Sequence, residues 1–434
     1  MNIADTVTVK VEDHQWGTAK KWCFRFFFIL LSLFIIFNNN GAFPFFFSIM
    51  KYPTGLMHEL IPWIAAEILG YTYDYTIFSN GSGDTSYDYL LLAFMTFCAG
   101  IGMLIWSLLD RNRTSYNQLY YWLLVVVRFY IAFTLINYGM IKVIKMQFPY
   151  PSLYRLTQAY GDSSPMGLAW TFLGFSKGYN MFMGIIEVSA VLLLFRRTMI
   201  IGAFLSLAAC VHVMSMNYFY DVPVKIFSTA LVVMSVFILA PYLKTILGFL
   251  LTGKSFILQV IARPDYKKKW MFYMAYGLKY LWILVFVATT LASCLNRAKV
   301  YGEGAPKPPL YGIYQTEKFV RNNVECLPLI TDSLQWRQLT VQREGAARIK
   351  MMNDSLKNAD FKVDASKKQI EIFYQGSLSK DKLFSYQMID KDRLLLSGHL
   401  NGDSVKITLK KMDLKKFLLI NRKFNWVNEY PFNR

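Results

Sequence analysis

Two charged residues lie deep inside apolar stretches of the sequence, where a charge has few roles other than pairing or chemistry. Arg128 falls well inside the stretch 119–144, and Glu187 falls well inside the stretch 180–195. Each lies about 14 Å along its helix from the same predicted membrane face. Charges within hydrocarbon are costly and usually face a partner or a cavity. We therefore predict an Arg128–Glu187 ion pair, which either fixes helix packing only or acts as a proton-linked carboxylate or an anion site.

A second group of polar residues lies near the predicted helix ends, on the side of the long connecting loops. Its members are charged, amide or imidazole side chains that the predicted topology places on one face: Asp84, Asn137, Lys142, Arg155, His212, Asn217, Asp221 and Lys225. Ordinary interfacial capping and snorkelling can account for any one of them. Their joint concentration predicts a shared outer pocket.

The sequence lacks the residue spacings of several common active sites. The four histidines are far apart and show no metal-ligand spacing, so we predict no metal site. No Cys-x-x-Cys occurs among the five cysteines, which argues against a thiol relay. Cys294 and Cys326 are the two candidates for a disulfide outside the cytoplasm.

Seven apolar stretches must position these residues, and several approach the ~20 residues that a helix needs to cross hydrocarbon. They are residues 22–39, 89–109, 119–144, 180–195, 198–218, 224–241 and 279–295. Basic connections such as Arg196-Arg197 and 267–269 alternate with acidic ones. Because basic loops stay in the cytoplasm, the pattern predicts an N-terminus inside and a C-terminus outside. Residues 1–21 then form a cytoplasmic tail, and residues 22–295 form an all-α transmembrane domain.

Composition agrees with this assignment. The chain is 54% hydrophobic and carries a formal net charge of +19. Such a charge in a soluble protein would suggest nucleic acid, but much of it lies in predicted cytoplasmic loops, where it attracts anionic lipid headgroups. We therefore expect the lipid bilayer as a partner and expect no nucleic acid.

The pattern changes after the last apolar stretch. Residues 296–309 form a predicted Gly/Pro/Lys linker, and residues 310–434 contain short alternating runs typical of strands. The predicted strands are 338–342, 369–374, 393–396 and 405–409, with hairpin turns at 390–392 and 401–403. They indicate a small all-β periplasmic domain, either an antiparallel sandwich or a lipocalin-like barrel. Two amphipathic in-plane helices are also expected, over 56–69 and 242–262.

Residues 80–245 resemble the DoxX-like family of bacterial membrane proteins. The matching stretches are Ser82-Gly83-Asp84-Thr85, Tyr138-Gly139-x-x-Lys142, Gln147-Phe148-Pro149, Gly184-x-x-Glu187 with Leu192-Leu193-Leu194, Arg196-Arg197-Thr198 and Asp221-Val222-Pro223-Val224-Lys225. The resemblance implies a four-helix membrane core over 119–245. Some members of that family are associated with redox or oxidative-stress systems, which makes a quinone one candidate for a cofactor that the sequence leaves unknown. This chain departs from that family by its extra spans, its β domain and its lack of a cysteine pair.

These observations lead to three functional hypotheses for a multi-pass protein of the bacterial inner membrane. The first is a non-catalytic component of a redox or envelope-stress system, whose periplasmic domain docks a ligand or a membrane or periplasmic protein partner. The second is a quinone-linked oxidoreductase subunit that uses Lys142, His212 and Asp221. The third is a transporter of a small anion or lipid-like molecule, with Arg128 and Glu187 on its path.

Overall fold

The chain is divided into two compact units. The computed structural model describes residues 15–71, 81–253, 266, 268–302, 304–374, 383–422 and 424–433. The first unit contains residues 1–147 and 177–297, and the second contains residues 148–176 and 298–434. The second unit therefore includes a loop segment that the sequence had assigned to the transmembrane domain.

The first unit is helical. Its helices are α1 (Thr18–Phe37), α2 (Phe46–Trp63, continued by a π-helical turn Ile64–Ile68), α3 (Ser86–Leu109), α4 (Asn117–Val143), α7 (Lys177–Val188, continued by a 3-10 segment Ser189–Leu194), α8 (Met199–Phe219), α9 (Lys225–Thr252) and α10 (Lys269–Tyr301). Among the described residues, α3, α4, α7 with its 3-10 segment, α8, α9 and α10 are long and apolar enough to cross a bilayer. These six helices indicate a multi-pass membrane protein. The remaining predicted stretch, 22–39, forms α1, whose first turns carry Lys20, Lys21 and Arg25.

Helix α4 is the most deeply buried helix of this unit. Val127, Tyr130, Ile131 and Phe133 are fully buried on successive faces of the helix, and a helix that is apolar all round belongs in the centre of a bundle. Phe133 stacks on Phe286 of α10 with ring centroids 4.0 Å apart. The core of the unit therefore surrounds α4.

The two in-plane helices that the sequence predicts, over 56–69 and 242–262, have different outcomes. A helix over the expected range 56–69 is confirmed as far as Ile68, although it begins earlier, at Phe46. Its in-plane position stays a prediction. The prediction of a separate in-plane helix that begins at residue 242 is wrong for residues 242–252. These residues belong to α9, which continues through Pro241 and buries Tyr242 among core residues. Residues 254–262 of that prediction lie outside the described residues.

The second unit combines a sheet with the loop segment 148–176. The loop contributes the short helix α5 (Leu153–Leu156) and the eleven-residue helix α6 (Pro165–Phe175). The strands are β1 (Gly312–Arg321), β2 (Val324–Glu325), β3 (Trp336–Arg343), β4 (Gly345–Met351), β5 (Leu356–Asp364), β6 (Gln369–Tyr374), β7 (Leu383–Met388), β8 (Arg393–Leu400) and β9 (Asp403–Lys411), and a short helix α11 (Leu418–Asn421) follows. All four predicted strands are confirmed.

The sheet closes into an eight-stranded antiparallel barrel. Strands β3 to β9 pair in chain order, and β1 pairs with both β3 and β9, while β2 pairs only with β1. Asn401 and Gly402 have positive φ angles in the two-residue turn between β8 and β9, as a hairpin turn of the favoured twist requires. The barrel alternative is therefore the correct one, and the sandwich alternative is wrong.

Side chains fill the barrel. Trp336, Leu339, Ile349, Phe384 and Leu396 are fully buried in its interior, where eight strands leave just enough room for packed side chains. A cavity at one end, lined by Phe319 and Tyr374 among others, has a volume of about 30 Å³, enough for roughly one or two waters. This cavity is far smaller than the roughly 300–1,000 Å³ of a typical ligand pocket.

The predicted linker is partly helical. Helix α10 extends to Tyr301, six residues into the segment 296–309. The residues Asn296 to Tyr301 contain neither glycine nor proline, so nothing local stops the helix before Gly302. The helix ends where the glycines and prolines begin.

Candidate functional site

A lysine and a carboxylate form a buried ion pair inside the helical unit. Lys142 Nζ, on the last turn of α4, donates to both carboxylate oxygens of Glu187 on α7, at 2.5 and 2.6 Å. The two side chains are 7% and 5% exposed. Removing two charges from water costs several kcal/mol per ion unless they satisfy one another. The pair therefore either holds the two helices together at a cost in desolvation free energy or takes part in the protein's function.

Two glycines allow the helices to approach closely enough for this pair to form. A methyl group at Gly139 would lie 2.7 Å from the carbonyl oxygen of Gly184, and one at Gly184 would lie 2.7 Å from the carbonyl oxygen of Gly139. Small residues at such crossings let helix backbones meet. Lys142 and Glu187 each follow one of these glycines by three residues, so each lies about one turn from the crossing.

The predicted pairing of Arg128 with Glu187 is wrong. Arg128 lies nearly four turns before Lys142 on α4, about 20 Å away along the helix. The crossing at Gly139 and Gly184 therefore places Lys142, and not Arg128, beside the carboxylate. Arg128 is buried and donates through Nε and Nη2 to the carbonyl oxygen of Leu193, at 2.9 and 2.6 Å. That carbonyl lies near the end of the 3-10 segment, where backbone acceptors lack helical partners.

Four residues of the predicted outer pocket meet at the start of α9. The Asp84 carboxylate accepts from the backbone N–H groups of Lys225 and Ile226 at 2.7 and 2.9 Å. Lys225 Nζ is 2.9 Å from the carboxylate of Asp221, and the amide of Asn217 donates to the carbonyl oxygen of Val224. The two Asp84 contacts satisfy free N–H groups at the helix start, so Asp84 caps α9. The Asp221 and Asn217 contacts hold residues at the same helix start.

The other members of the predicted pocket lie elsewhere. Lys142 is paired with Glu187 as described, and the side-chain nitrogen of Asn137 lies against Gly41. His212 is exposed on α8, within range of an electrostatic interaction with Glu187. Arg155 belongs to the second unit, where it donates to Gln158 at 2.7 Å. The eight residues thus lie in separate parts of the structure, and a single shared pocket does not describe them.

Sequence reasoning missed a third buried cation, Arg25 of α1. Its guanidinium donates twice to the hydroxyl of Tyr116, at 3.0 and 2.7 Å, and also to Ser107 Oγ and the carbonyl oxygen of Asp110. The Tyr116 hydroxyl in turn donates to the Asp110 carboxylate at 2.9 Å. The position of Arg25, three residues past the start of the apolar stretch 22–39, was the available signal.

The described part of the chain contains neither a disulfide nor a cluster of side chains suited to a metal ion. All five cysteines are free thiols, so the candidate Cys294–Cys326 disulfide is absent. Within the described ranges, no group of three or more His, Cys, Asp and Glu side chains is arranged to hold a metal ion.

The fold and the buried pair define a class: a multi-pass helical membrane protein with a β-barrel domain. No protein-family model matches the chain, and no solved structure matches it. It is 36% identical over 115 residues to the uncharacterized protein YwoB of Bacillus subtilis (strain 168), a match that covers 26% of this chain and 71% of that protein. The chain therefore belongs to the same family as YwoB.

Proposed function

We propose that this protein is a non-catalytic component of a redox or envelope-stress system of the bacterial inner membrane, and that its barrel is a partner-docking domain. The alternation of basic and acidic connections supports seven spans, with α1 as the first, an N-terminus inside and a periplasmic barrel. The DoxX-like motifs support the association with a redox or stress system. The Gly139-x-x-Lys142 and Gly184-x-x-Glu187 motifs of that resemblance also contain the buried pair.

An exposed apolar loop on the barrel carries the docking proposal. The segment between β1 and β3 exposes Val324, Leu327, Leu329 and Ile330, which are 68%, 72%, 58% and 75% exposed. Scattered apolar residues on a surface are ordinary, whereas a contiguous patch marks an interaction site. Because side chains fill the barrel interior, docking through the outer surface is favoured over carriage of a ligand inside.

A site-specific photo-crosslinker tests this proposal in intact membranes. The crosslinking residue replaces Ile330 in one chain and the turn residue Lys391 in a matched control. We expect a discrete protein adduct from position 330 that is absent from position 391. The additional substitution Leu327→Asp should abolish that adduct while leaving the amount of membrane-inserted protein unchanged. Equal labelling at both positions, or an adduct that is insensitive to Leu327→Asp, would refute docking through this loop.

The buried ion pair favours a second candidate, a transporter in which Lys142 and Glu187 lie on the path of a proton or small anion. Ionisable residues inside membrane spans commonly mark such pathways. The test is labelling by a membrane-impermeant maleimide in a chain whose own cysteines are replaced by serine. A thiol at Met183, one turn before Glu187, should react, while a thiol at Phe133 in the core should not. Protection of both thiols would exclude a water-filled route beside Glu187.

A further inference from the structure

The loop segment 148–176 is held against the outer surface of the barrel. The backbone N–H of Leu153 donates to Gln342 Oε1 at 2.9 Å, and Gln338 Nε2 donates to Thr157 Oγ1 at 3.0 Å. The guanidinium of Arg348 also lies 4.4 Å from the ring centroid of Tyr154. Strands β3 and β4 thus fix α5 and the residues that follow it. A site built from this segment would be organised in advance of binding.

This segment surrounds a cavity of about 240 Å³. The residues that line it include Ser152, Arg155, Ser164, Met166, Gly167 and Trp170. The volume is somewhat below the range of drug-sized pockets, so it suits a small head group with a short apolar chain. Aromatic, proline and methionine side chains supply the apolar wall, with Trp170 held edge-on to Phe148.

The polar groups of the cavity are arranged to donate hydrogen bonds. Ser152 Oγ accepts from the backbone of Arg155, and Ser164 Oγ accepts from the backbone of Gly167. Each hydroxyl hydrogen can therefore point elsewhere. No Asp or Glu is among the lining residues. The start of α6 adds a partial positive charge beside Ser164. A ligand that accepts hydrogen bonds and carries negative charge fits this set.

Arg155 supplies a full positive charge without a carboxylate partner in the cavity wall. Its Nη1 donates to the neutral amide of Gln158 at 2.7 Å, and its guanidinium lies flat over Gly167, where a methyl group would be 2.4 Å from Nη2. Guanidinium groups bind carboxylates and phosphates through two parallel hydrogen bonds. The absence of a side chain at residue 167 thus lets the guanidinium reach the cavity.

We propose that this cavity binds an anionic amphiphile, a carboxylate or phosphate carrying a short apolar chain, with Arg155 on the anion and Trp170 and Met166 against the chain. This inference is independent of the docking loop and of the buried Lys142–Glu187 pair. Its failure would leave both of those proposals untouched.

The test is calorimetric titration of the full chain in a non-ionic detergent with four probes: hexanoate, hexyl phosphate, hexanol and acetate. We expect hexanoate or hexyl phosphate to bind at least tenfold more tightly than hexanol, which lacks the charge, and acetate, which lacks the chain. The stronger of the two anions identifies the source, since a phosphate preference points to lipid head groups and a carboxylate preference points to fatty acids. Equal binding of hexanol or acetate would overturn the proposal.

Variants assign the binding to Arg155. We expect Arg155→Gln to weaken anion binding at least tenfold, whereas Arg337→Gln, at an exposed arginine that pairs with Asp354 on the same unit, should leave it unchanged. Gly167→Ala keeps the charge and displaces the guanidinium, so it should weaken binding even if Arg155→Gln folds poorly. Unchanged affinity in a folded Arg155→Gln or Gly167→Ala chain would refute the site.

Discussion

The helical unit and the barrel treat charged residues in opposite ways. In the helical unit, Lys142, Glu187 and Arg128 are buried, and each finds its partner on a neighbouring helix or carbonyl. In the barrel, charges pair across the outer surface, as Glu317 does with Arg393 at 2.9 Å, while the interior is apolar. Ion pairs with similar distances should therefore differ greatly in their effect on stability, because burial rather than distance sets the cost of breaking them.

The largest effect is expected from Glu187→Gln in the helical unit. Removing this carboxylate takes from the buried Lys142 ammonium the charge that it pairs with, which should lower the free energy of unfolding by about 3–5 kcal/mol. Unfolding of the detergent-solubilised chain with increasing SDS, followed by circular dichroism, measures the change. The matched control is Glu59→Gln, at an exposed glutamate. A variant as stable as that control would show that the pair is not what holds α4 against α7.

In the barrel, the largest effect should come from an apolar residue. Leu339 is fully buried in β3, so Leu339→Ala should cost about 2–5 kcal/mol through lost burial and a residual cavity. Hydrogen exchange of the barrel strands in the full chain reads out this loss. Leu356→Ala, at an exposed position of β5, serves as the control. If protection is lost equally in both variants, the barrel does not depend on a packed interior.

The glycine crossing should give a smaller effect. Gly184→Ala places a methyl group against the backbone of Gly139, and overpacking of this kind costs about 1–3 kcal/mol. Gly100→Ala on α3 meets no atom within 4 Å and should be neutral or slightly stabilising, because alanine is the better helix former. The same SDS titration compares the two. A stable Gly184→Ala variant would contradict the close crossing that positions the ion pair.

The smallest effect is expected at the surface pair of the barrel. The Arg393 guanidinium beside Glu317 lowers the pKa of that carboxyl below its usual value. A lowered pKa in the folded state stabilises above the unfolded pKa of about 4.3, and this contribution is lost as the pH falls through the folded value. Hydrogen exchange of β1 should therefore differ between wild type and Glu317→Gln at pH 6, and the difference should vanish at low pH. A difference that grows on acidification would contradict the sign.

Sequence reasoning found the barrel strands with alternating patterns and a regular turn, such as 369–374 and 405–409, because a period of two is a local signal. It could not show that β1 pairs with β9, which depends on contacts between distant parts of the chain. It also selected Glu187 correctly as a buried charge but gave it the wrong partner. The number of residues between a charge and the end of its span does not predict its partner when a close contact between two glycines sets how the two helices are aligned. The two Gly-x-x-charge motifs contained that information.

The most direct test of the account is a double-mutant cycle on the buried pair. The free energy of unfolding is measured for wild type, Lys142→Met, Glu187→Gln and the double variant in the same detergent. If the two side chains satisfy one another, the double variant should be less destabilised than the sum of the single variants by roughly 1–3 kcal/mol. Single effects that add to within about 0.5 kcal/mol would contradict the pairing of Lys142 with Glu187 and the helix register that rests on it.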